Sequence, residues 1–405
     1  MQLFTAPEYL KMDIAGRYGL DKSTWQERLD WFAAHESDLH SMIETADEPA
    51  MYFAAVTAWE DCVAKRPSGY GVSLDATCSA LQLLSVLTGD RLGAELCNVV
   101  NTGKRMDAYT EIFQRMLGEV GGSSNVTRDM AKDAILFSLY GSTAEPKKVF
   151  GDGTKLLDTY YNVMRASAPA AWELNETYIS IWNPEAYEYN ITLPDNFHMH
   201  LKVMSDVKDT VVFMNDNYDV FKKKNTKKKD GRMLGANCNH GIDGMIVREM
   251  TARCGYDPIL ITAVRLALHM AAPAEVGEEH LALEDETIQS NALWSHYMET
   301  GFLSVRILEC INTYTASFID HDVILELIRS LPPKPFQLMT VFDCFRCLPA
   351  YANDMRKQYN LQLHLIGKST ILSSILSQIL GHKVDIGKLD DTMYIDVLNA
   401  NYALS

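Results

Sequence analysis

An apolar strand candidate, Phe336-Gln337-Leu338-Met339-Thr340-Val341-Phe342, runs straight into Asp343, and no other junction in the sequence constrains the fold as much. A carboxylate at the end of a buried run is costly unless it is paired or binds a metal ion. Cys344-Phe345-Arg346-Cys347-Leu348 continues extended as far as Pro349, which makes a hairpin with the acid at its turn. Far upstream, Tyr70 to Leu74 is a second short strand candidate that ends on Asp75 and is followed by the small residues Ala76-Thr77-Cys78-Ser79. That carboxylate is well placed for a metal or a ligand; in isolation it reads better as the N-cap of a helix over Ala76 to Leu87.

Between the two acids, Asn125 to Ser142 reads as one helix closed by Tyr140-Gly141. At about 100° per residue, Arg128, Lys132 and Tyr140 share one broad side, with Met130, Ala134 and Phe137 opposite as a packing stripe. Two cations one turn apart suit a polyphosphate, and a terminal tyrosine can test the shape of what the phosphates carry. On spacing alone an ordinary amphipathic surface helix is the preferred reading, with Asp129 and Asp133 able to pair with the cations.

With 405 residues, 47% of them hydrophobic, the chain is expected to be globular, with two or three subdomains. Its formal net charge of −16 argues against coating nucleic acid by bulk electrostatics, so such contact has to come from local basic surface or a partner chain. There is no apolar run near the roughly 18 residues of a membrane span and no secretory signal, which leads us to expect a soluble intracellular protein without a membrane partner. The eight scattered cysteines read as reduced core thiols, and Cys344/Cys347 as a lone CxxC without zinc spacing.

Helices are expected over Lys22 to Ala34 and Ala50 to Lys65, and a flexible joint at Gly121-Gly122-Ser123-Ser124. Strands at 198–203 and 210–214, separated by Ser205 to Asp209, give a hairpin signal, with His198 and His200 on one face as a conceivable metal pair or, preferably, a solvated face. The dense basic run that follows holds Lys222, Lys223, Lys224, Lys227, Lys228 and Lys229 and reads as a solvated loop able to touch a phosphate backbone. Cys238 to Gly244 reads as a turn leading into a helix from Met245. Asp257 to Leu331 is mostly helical, with an acidic patch (Glu275 to Glu286) around His280 to which no chemistry attaches.

Taken together, these elements resemble motifs A, B and C of the single-subunit RNA polymerases of phages and mitochondria, the T-seven type. LDATCSALQLLSVL (74–87) is similar to motif A, and TRDMAKDAILFSLYGS (127–142) keeps the R-x3-K-x7-YGS spacing of motif B. HGIDGMIVR (240–248), which includes Arg248, resembles the H-x-x-D-G-x-x-x-R turn; FDCFRCLPA (342–350) resembles motif C with Phe342 in place of the usual His; Tyr109 matches a fingers tyrosine. IDVLNANYALS resembles the terminal segment that tucks back toward the active site. The large N-terminal promoter domain, thumb and DxxGR motif are expected to be missing from residues 1–70, and 257–331 looks like an insertion.

The resemblance implies an α+β fold: a right-hand palm with a small antiparallel sheet, plus mainly helical fingers. Residues 1–103 would be the first part of the palm, 104–240 the fingers (motif B helix 126–140, a specificity-loop-like hairpin 197–214, basic loop 222–229), and 241–405 the second part of the palm. It implies a DNA-directed RNA polymerase transcribing phage genes in the cytoplasm of an infected bacterial host. Asp75, Asp343 and the Ala76 carbonyl would hold two Mg²⁺ ions; Arg128 and Lys132 the triphosphate; Lys132 would be the proton donor. Tyr140, with Gly141 and His240, would select ribose, and Tyr109 would lie against the nucleotide. Its closest likeness is to the larger subunit of the heterodimeric RNA polymerase of N-four-like phages. The expected partners are therefore a smaller subunit carrying the missing parts, template DNA, nascent RNA, NTPs and a recruiting or single-stranded-DNA-binding protein. A family A-like DNA polymerase and a non-catalytic nucleic-acid-binding subunit are the alternatives.

Overall fold

The computed structural model describes residues 1–121, 126–271 and 285–405; Gly122 to Asn125 and the acidic segment from Glu275 to Glu284, with His280, lie outside them. Among the described residues helices dominate, and the strands form one three-stranded and two two-stranded sheets. Helices Ala6–Ala15 and Trp25–His35 each begin on a full capping box, Thr5 with Glu8 and Thr24 with Glu27, and Pro49–Val63 starts on its proline.

The three-stranded sheet joins the two acid-bearing segments. Cys344–Cys347 is its centre, flanked antiparallel by Val72–Asp75 and Met339–Val341. The apolar strand is shorter than expected and is not buried. Met339, Val341 and Phe342 on this open edge are 51%, 67% and 87% exposed, while Phe336 leaves the sheet to stack on Tyr351 at 4.8 Å. The sequence pattern cannot separate an apolar edge strand from a central one, because both read as a short hydrophobic run.

Behind the sheet stands Ser79–Thr88, a mainly apolar helix with every residue buried, its polar Ser79, Gln82, Ser85 and Thr88 included. It packs on Pro169–Ser180, Met233–Cys254 and Ala352–Lys368. Its Gln82 amide ties four segments together. The nitrogen donates to Thr77 Oγ1 at 3.1 Å, the Cys97 carbonyl at 3.1 Å and the Ala403 carbonyl at 2.8 Å, and the oxygen accepts from the Tyr359 hydroxyl at 2.7 Å. The tail docks on the same strand: Ser405 N–H donates to the Asp75 carbonyl at 3.0 Å and Thr77 N–H to the Ala403 carbonyl at 3.2 Å.

Two expected loops are regular structure. Cys238 to Gly244 is no turn but the middle of a 22-residue helix, Met233–Cys254. Its glycines serve close approach, since a Cβ at Gly241 would stand 2.2 Å from Met199 Sδ. The expected hairpin turn at Ser205 to Asp209 lies inside a strand: Met204–Phe213 pairs with Asp216–Asn225, and the turn is Met214-Asn215, both at positive φ. The polar run imitates a turn because both strands face solvent, with Asp209–Lys222 (2.9 Å), Asp206–Lys223 (3.2 Å) and Lys208–Asp219 (2.8 Å) as cross-strand ion pairs. The basic run is therefore half strand. A separate hairpin, Glu188–Thr192 with His198–Lys202, places His200 on Glu188 (2.7 Å) and His198 on Thr192 (3.0 Å). The described residues of 258–329 are mostly helical, as expected, and carry a hydrophobic cluster of their own, including Val264, Leu293, Ile307 and Ile324.

The helix Ser79–Thr88 ends on Gly89 at φ +68°, where an added Cβ would lie 2.5 Å from the Asp390 carbonyl oxygen. Gly89→Ala is strained in conformation and in space, and is expected to cost roughly 1–3 kcal/mol. A thermal melt that matches the parent protein would contradict this packing.

Candidate active site

Adjacent strands lie about 4.8 Å apart, so register decides which side chains meet. Asp75 pairs with Cys344, which sets Asp343 beside the Asp75-Ala76 step; Ala76 N–H donates to the Asp343 carbonyl at 3.2 Å. Asp343 occupies the two-residue turn of its hairpin next to Phe342, a non-glycine residue at φ +54°. Such a backbone is uncommon for a bulky residue and persists only where the surroundings enforce it. Asp75 caps no helix: the Ser79–Thr88 helix begins after Cys78, itself at φ +68°. The N-cap reading thus gives way to a carboxylate open to a cleft.

Two carboxyls feel the Asp343 charge. Burial, then Asp343, pushes Asp75 up to about 6, although over a third of its surface remains exposed. The same two causes in the same order push Asp243 up to about 7. Asp243 was visible in the H-x-x-D-G pattern but received no role from sequence.

The cation helix spans Arg128–Leu139 with Thr127 as its cap. Its buried face is Ala131, Ala134, Ile135, Ser138 and Leu139; Met130 and Phe137 are 41% and 48% exposed, so the expected packing stripe is displaced and only Ala134 belongs to it. Arg128 leans on neither of its expected partners first: it pairs with Asp107 and donates from Nε to Thr110 Oγ1 at 2.7 Å, with Asp129 at 3.3 Å as a lesser contact. Asp107 also caps Ala108–Glu119. Burial would raise its carboxyl, but the bonds from Thr110 and Arg128 outweigh that and hold it below the usual range. Lys132 Nζ lies 5.8 Å from the centre of the Tyr109 ring, and the Tyr109 hydroxyl bonds with Cys78. Tyr140 ends the helix, followed by Gly141 at φ +81°. Its ring lies 4.7 Å from that of His240, and its hydroxyl shares a hydrogen bond with Ser79. Burial, then the Asp243 charge, raises that phenol to about 12.

A cleft of about 310 Å³ takes in Asp75, Ala76, Cys78, Tyr109, Arg128 and Lys132. Asp343 borders it through Ala76, and Tyr140 with His240 adjoins it through Ser79. Several further charged cleft residues escaped sequence reasoning, among them Lys22, Asp107, Arg17, Arg28 and Arg105. Asp13 to Arg17 spells Asp-x-x-Gly-Arg, the pattern expected to be missing from residues 1–70. Arg17 is held by Asp13 (3.6 Å) and Glu48 (2.5 Å) at the end of the first helix.

The basic run and Arg248 stand apart from the cleft lining. Lys222, Lys223 and Lys227 are in ion pairs, Lys227 with Glu185 at 2.5 Å. Arg248 pairs with buried Asp195 at 2.5 Å and lies over the Phe197 ring at 4.1 Å.

Among the described residues no group of three His, Cys, Asp or Glu side chains is spaced to hold a metal alone. Mg²⁺ commonly takes one or two carboxylates and completes its shell with water and substrate phosphate. Asp75 and Asp343, brought together by strand pairing at a cleft, fit that demand.

Residues 5–146 match the family model described as DNA-dependent RNA polymerase. The chain is similar to a probable DNA-directed RNA polymerase of Neurospora crassa, 28% identical over 162 residues, covering 33% of this chain and 17% of that protein. DNA-directed RNA polymerase 1, mitochondrial, of Arabidopsis thaliana is 25% identical over 171 residues (33% and 17%), and the DNA-directed RNA polymerase of Pseudomonas phage phiKMV 28% over 142 (31% and 17%). The chain thus spans about a sixth of the length of the curated relatives it matches. The family match includes Asp75, Tyr109, Arg128, Lys132 and Tyr140 and stops before His240 and Asp343.

Raised folded-state values for Asp75 and Asp243 mean that the folded chain binds more protons than the unfolded chain from about pH 4 to 7. Stability should therefore fall as pH rises through that window. Asp343→Asn removes the repelling charge and is expected to flatten the fall and raise the melting temperature at pH 8. An unchanged pH profile would separate Asp343 from the other two acids.

Proposed function

We propose that this chain is the catalytic part of a DNA-directed RNA polymerase, adding ribonucleotides to an RNA 3′-hydroxyl on a DNA template and transcribing phage genes. The observation that carries this reading is the antiparallel pairing that sets Asp75 beside Asp343 at a cleft also lined by Tyr109, Arg128 and Lys132. The match over residues 5–146 and the polymerase relatives support it.

Asp75, Asp343 and the Ala76 carbonyl are the residues that would hold two Mg²⁺ ions, which when bound supply activation of the attacking hydroxyl and neutralise charge on the phosphates. Arg128 and Lys132 bind and orient the triphosphate, and the Lys132 ammonium is the group placed to donate a proton to pyrophosphate. The Asp107 and Thr110 contacts hold the Arg128 guanidinium in place. Tyr140, braced by His240 and Ser79, presents a polar edge to the sugar, and Tyr109 lines the pocket for the base. A buried polar contact of this kind discriminates strongly against a substrate lacking the matching hydroxyl.

The proposal includes the palm and fingers division at 1–103, 104–240 and 241–405, and a smaller second chain resembling the partner subunit of the heterodimeric phage enzymes. Asp13 to Arg17 removes one argument for that chain. Charge supplies another: with a net −16, and three of the six lysines of the basic run already in ion pairs, grip on template and transcript phosphates falls to another surface. A recruiting or single-stranded-DNA-binding protein would serve the same need, and the host cytoplasm is the compartment this implies.

Asp343→Asn is expected to abolish nucleotide addition while the protein stays folded; normal extension by this variant would sink the assignment. Tyr140→Phe should admit deoxynucleotides at least tenfold more readily, measured as the ratio of kcat/KM for rNTP and dNTP. Unchanged selectivity would remove Tyr140 from sugar recognition, and a parent protein that prefers dNTPs would mark a DNA polymerase instead. Purification from infected cells should bring down a smaller chain in equal amount, and a catalytically complete monomer would refute the heterodimer.

A further inference from the structure

Arg28 and Arg105 line the same cleft as Asp75, yet neither makes an ion pair with any described residue. Arg28 is 4% exposed and lies over the Trp25 ring at 4.9 Å. One Nη donates to the Asp21 carbonyl at 2.5 Å, while its buried Nε has no partner. Arg105 is half-buried and donates from Nε to Ser405 Oγ at 3.3 Å. Ser405 in turn pairs with the Asp75 backbone, so this guanidinium is tied to the acid-bearing strand.

Arg28 feels the Arg105 charge. Burial, then that charge, brings Arg28 down to about 10, and burial lowers Arg105; the cleft carboxylates Asp21, Asp13 and Asp107 oppose these shifts without reversing them and without forming an ion pair with either arginine. Two like charges in a partly dry recess are costly unless an anion joins them, and an unpaired guanidinium fork matches a phosphate or carboxylate edge. The other cleft arginines are already satisfied, Arg17 by Asp13 and Glu48 and Arg128 by Asp107.

We propose that Arg28 and Arg105 form a second phosphate site in the cleft, separate from the Arg128 and Lys132 pair, which takes a phosphate group of nucleotide chemistry beside Asp75. The identity of the occupant rests on the polymerase reading above: it is either the backbone phosphate of the RNA strand whose 3′ end reaches Asp75 or the departing pyrophosphate. The site itself is a matter of charge and does not depend on catalysis.

The test is calorimetric titration of the full chain with pyrophosphate at low salt, without metal or nucleic acid, in a Lys132→Gln background that weakens the other cation pair. Arg105→Gln and Arg28→Gln are each expected to lower the remaining affinity at least tenfold. Because Arg28 also braces Asp21 and Trp25, its variant is checked by circular dichroism, and Arg105→Gln, which loses a single hydrogen bond, decides the matter if Arg28→Gln unfolds. Affinity that is the same with and without Arg105 overturns the site. In the extending enzyme, a raised KM for a short RNA primer with unchanged pyrophosphate inhibition assigns the occupant to the strand, and the reverse split assigns it to the leaving group. Binding through these arginines, with no RNA extension even by the chain purified together with its partner, would keep the site and defeat the polymerase reading.

Discussion

The pairing of Val72–Asp75 with Cys344–Cys347 is the constraint on which the rest depends. It joins segments from opposite parts of the chain, and every residue between them has to be laid out so that the two meet. Register does the chemical work. A slip by one residue would turn Asp75 to the core face now occupied by Leu74 and Phe345, and would bury a charge among apolar side chains. The all-buried Ser79–Thr88 helix and the Gln82 amide hold that register from behind, since four segments share hydrogen bonds through one side chain.

The cleft is a place where like charges are kept close on purpose. Asp343 at its border repels Asp75 and, beyond it, Asp243, and Arg105 repels Arg28; among the described residues none of these five groups makes an ion pair. Away from the cleft many charges are paired: Arg91, Arg248 and the ribbon residues Lys208, Lys222 and Lys223 each have a carboxylate. The contrast locates the ligand chemistry more sharply than the cleft's shape does, because unpaired buried charge is costly and is retained where a counter-ion arrives with the substrate.

The acids, the cation helix and its terminal tyrosine were legible in sequence, because each rests on a local pattern: a strand ending on Asp75, a hairpin turn at Asp343, a seven-residue gap from Lys132 to Tyr140-Gly141. What they contact was not legible. Arg128 reaches back to Asp107, and Asp243 meets the field of Asp343, through contacts between helices that no spacing encodes. Glycine misled twice in opposite ways. Gly241 and Gly244 looked like a turn and sit inside a helix, where absence of a side chain admits Met199; the glycine-free Met214-Asn215 pair makes the tight turn of the ribbon. Polar alternation at Ser205 to Asp209 imitated a loop because a ribbon exposed on both faces lacks the hydrophobic side that marks a strand.

The docking of Ala403 to Ser405 on the Asp75 strand also sets an order in time. During synthesis the Asp75 segment emerges before the Cys344 segment, and the residues that bond Asp75 and Thr77 emerge after both. Pairings of such long sequence separation form late and slowly. The contacts that Ser405 makes with Asp75 and Arg105 therefore close the cleft only after residue 405 has left the ribosome.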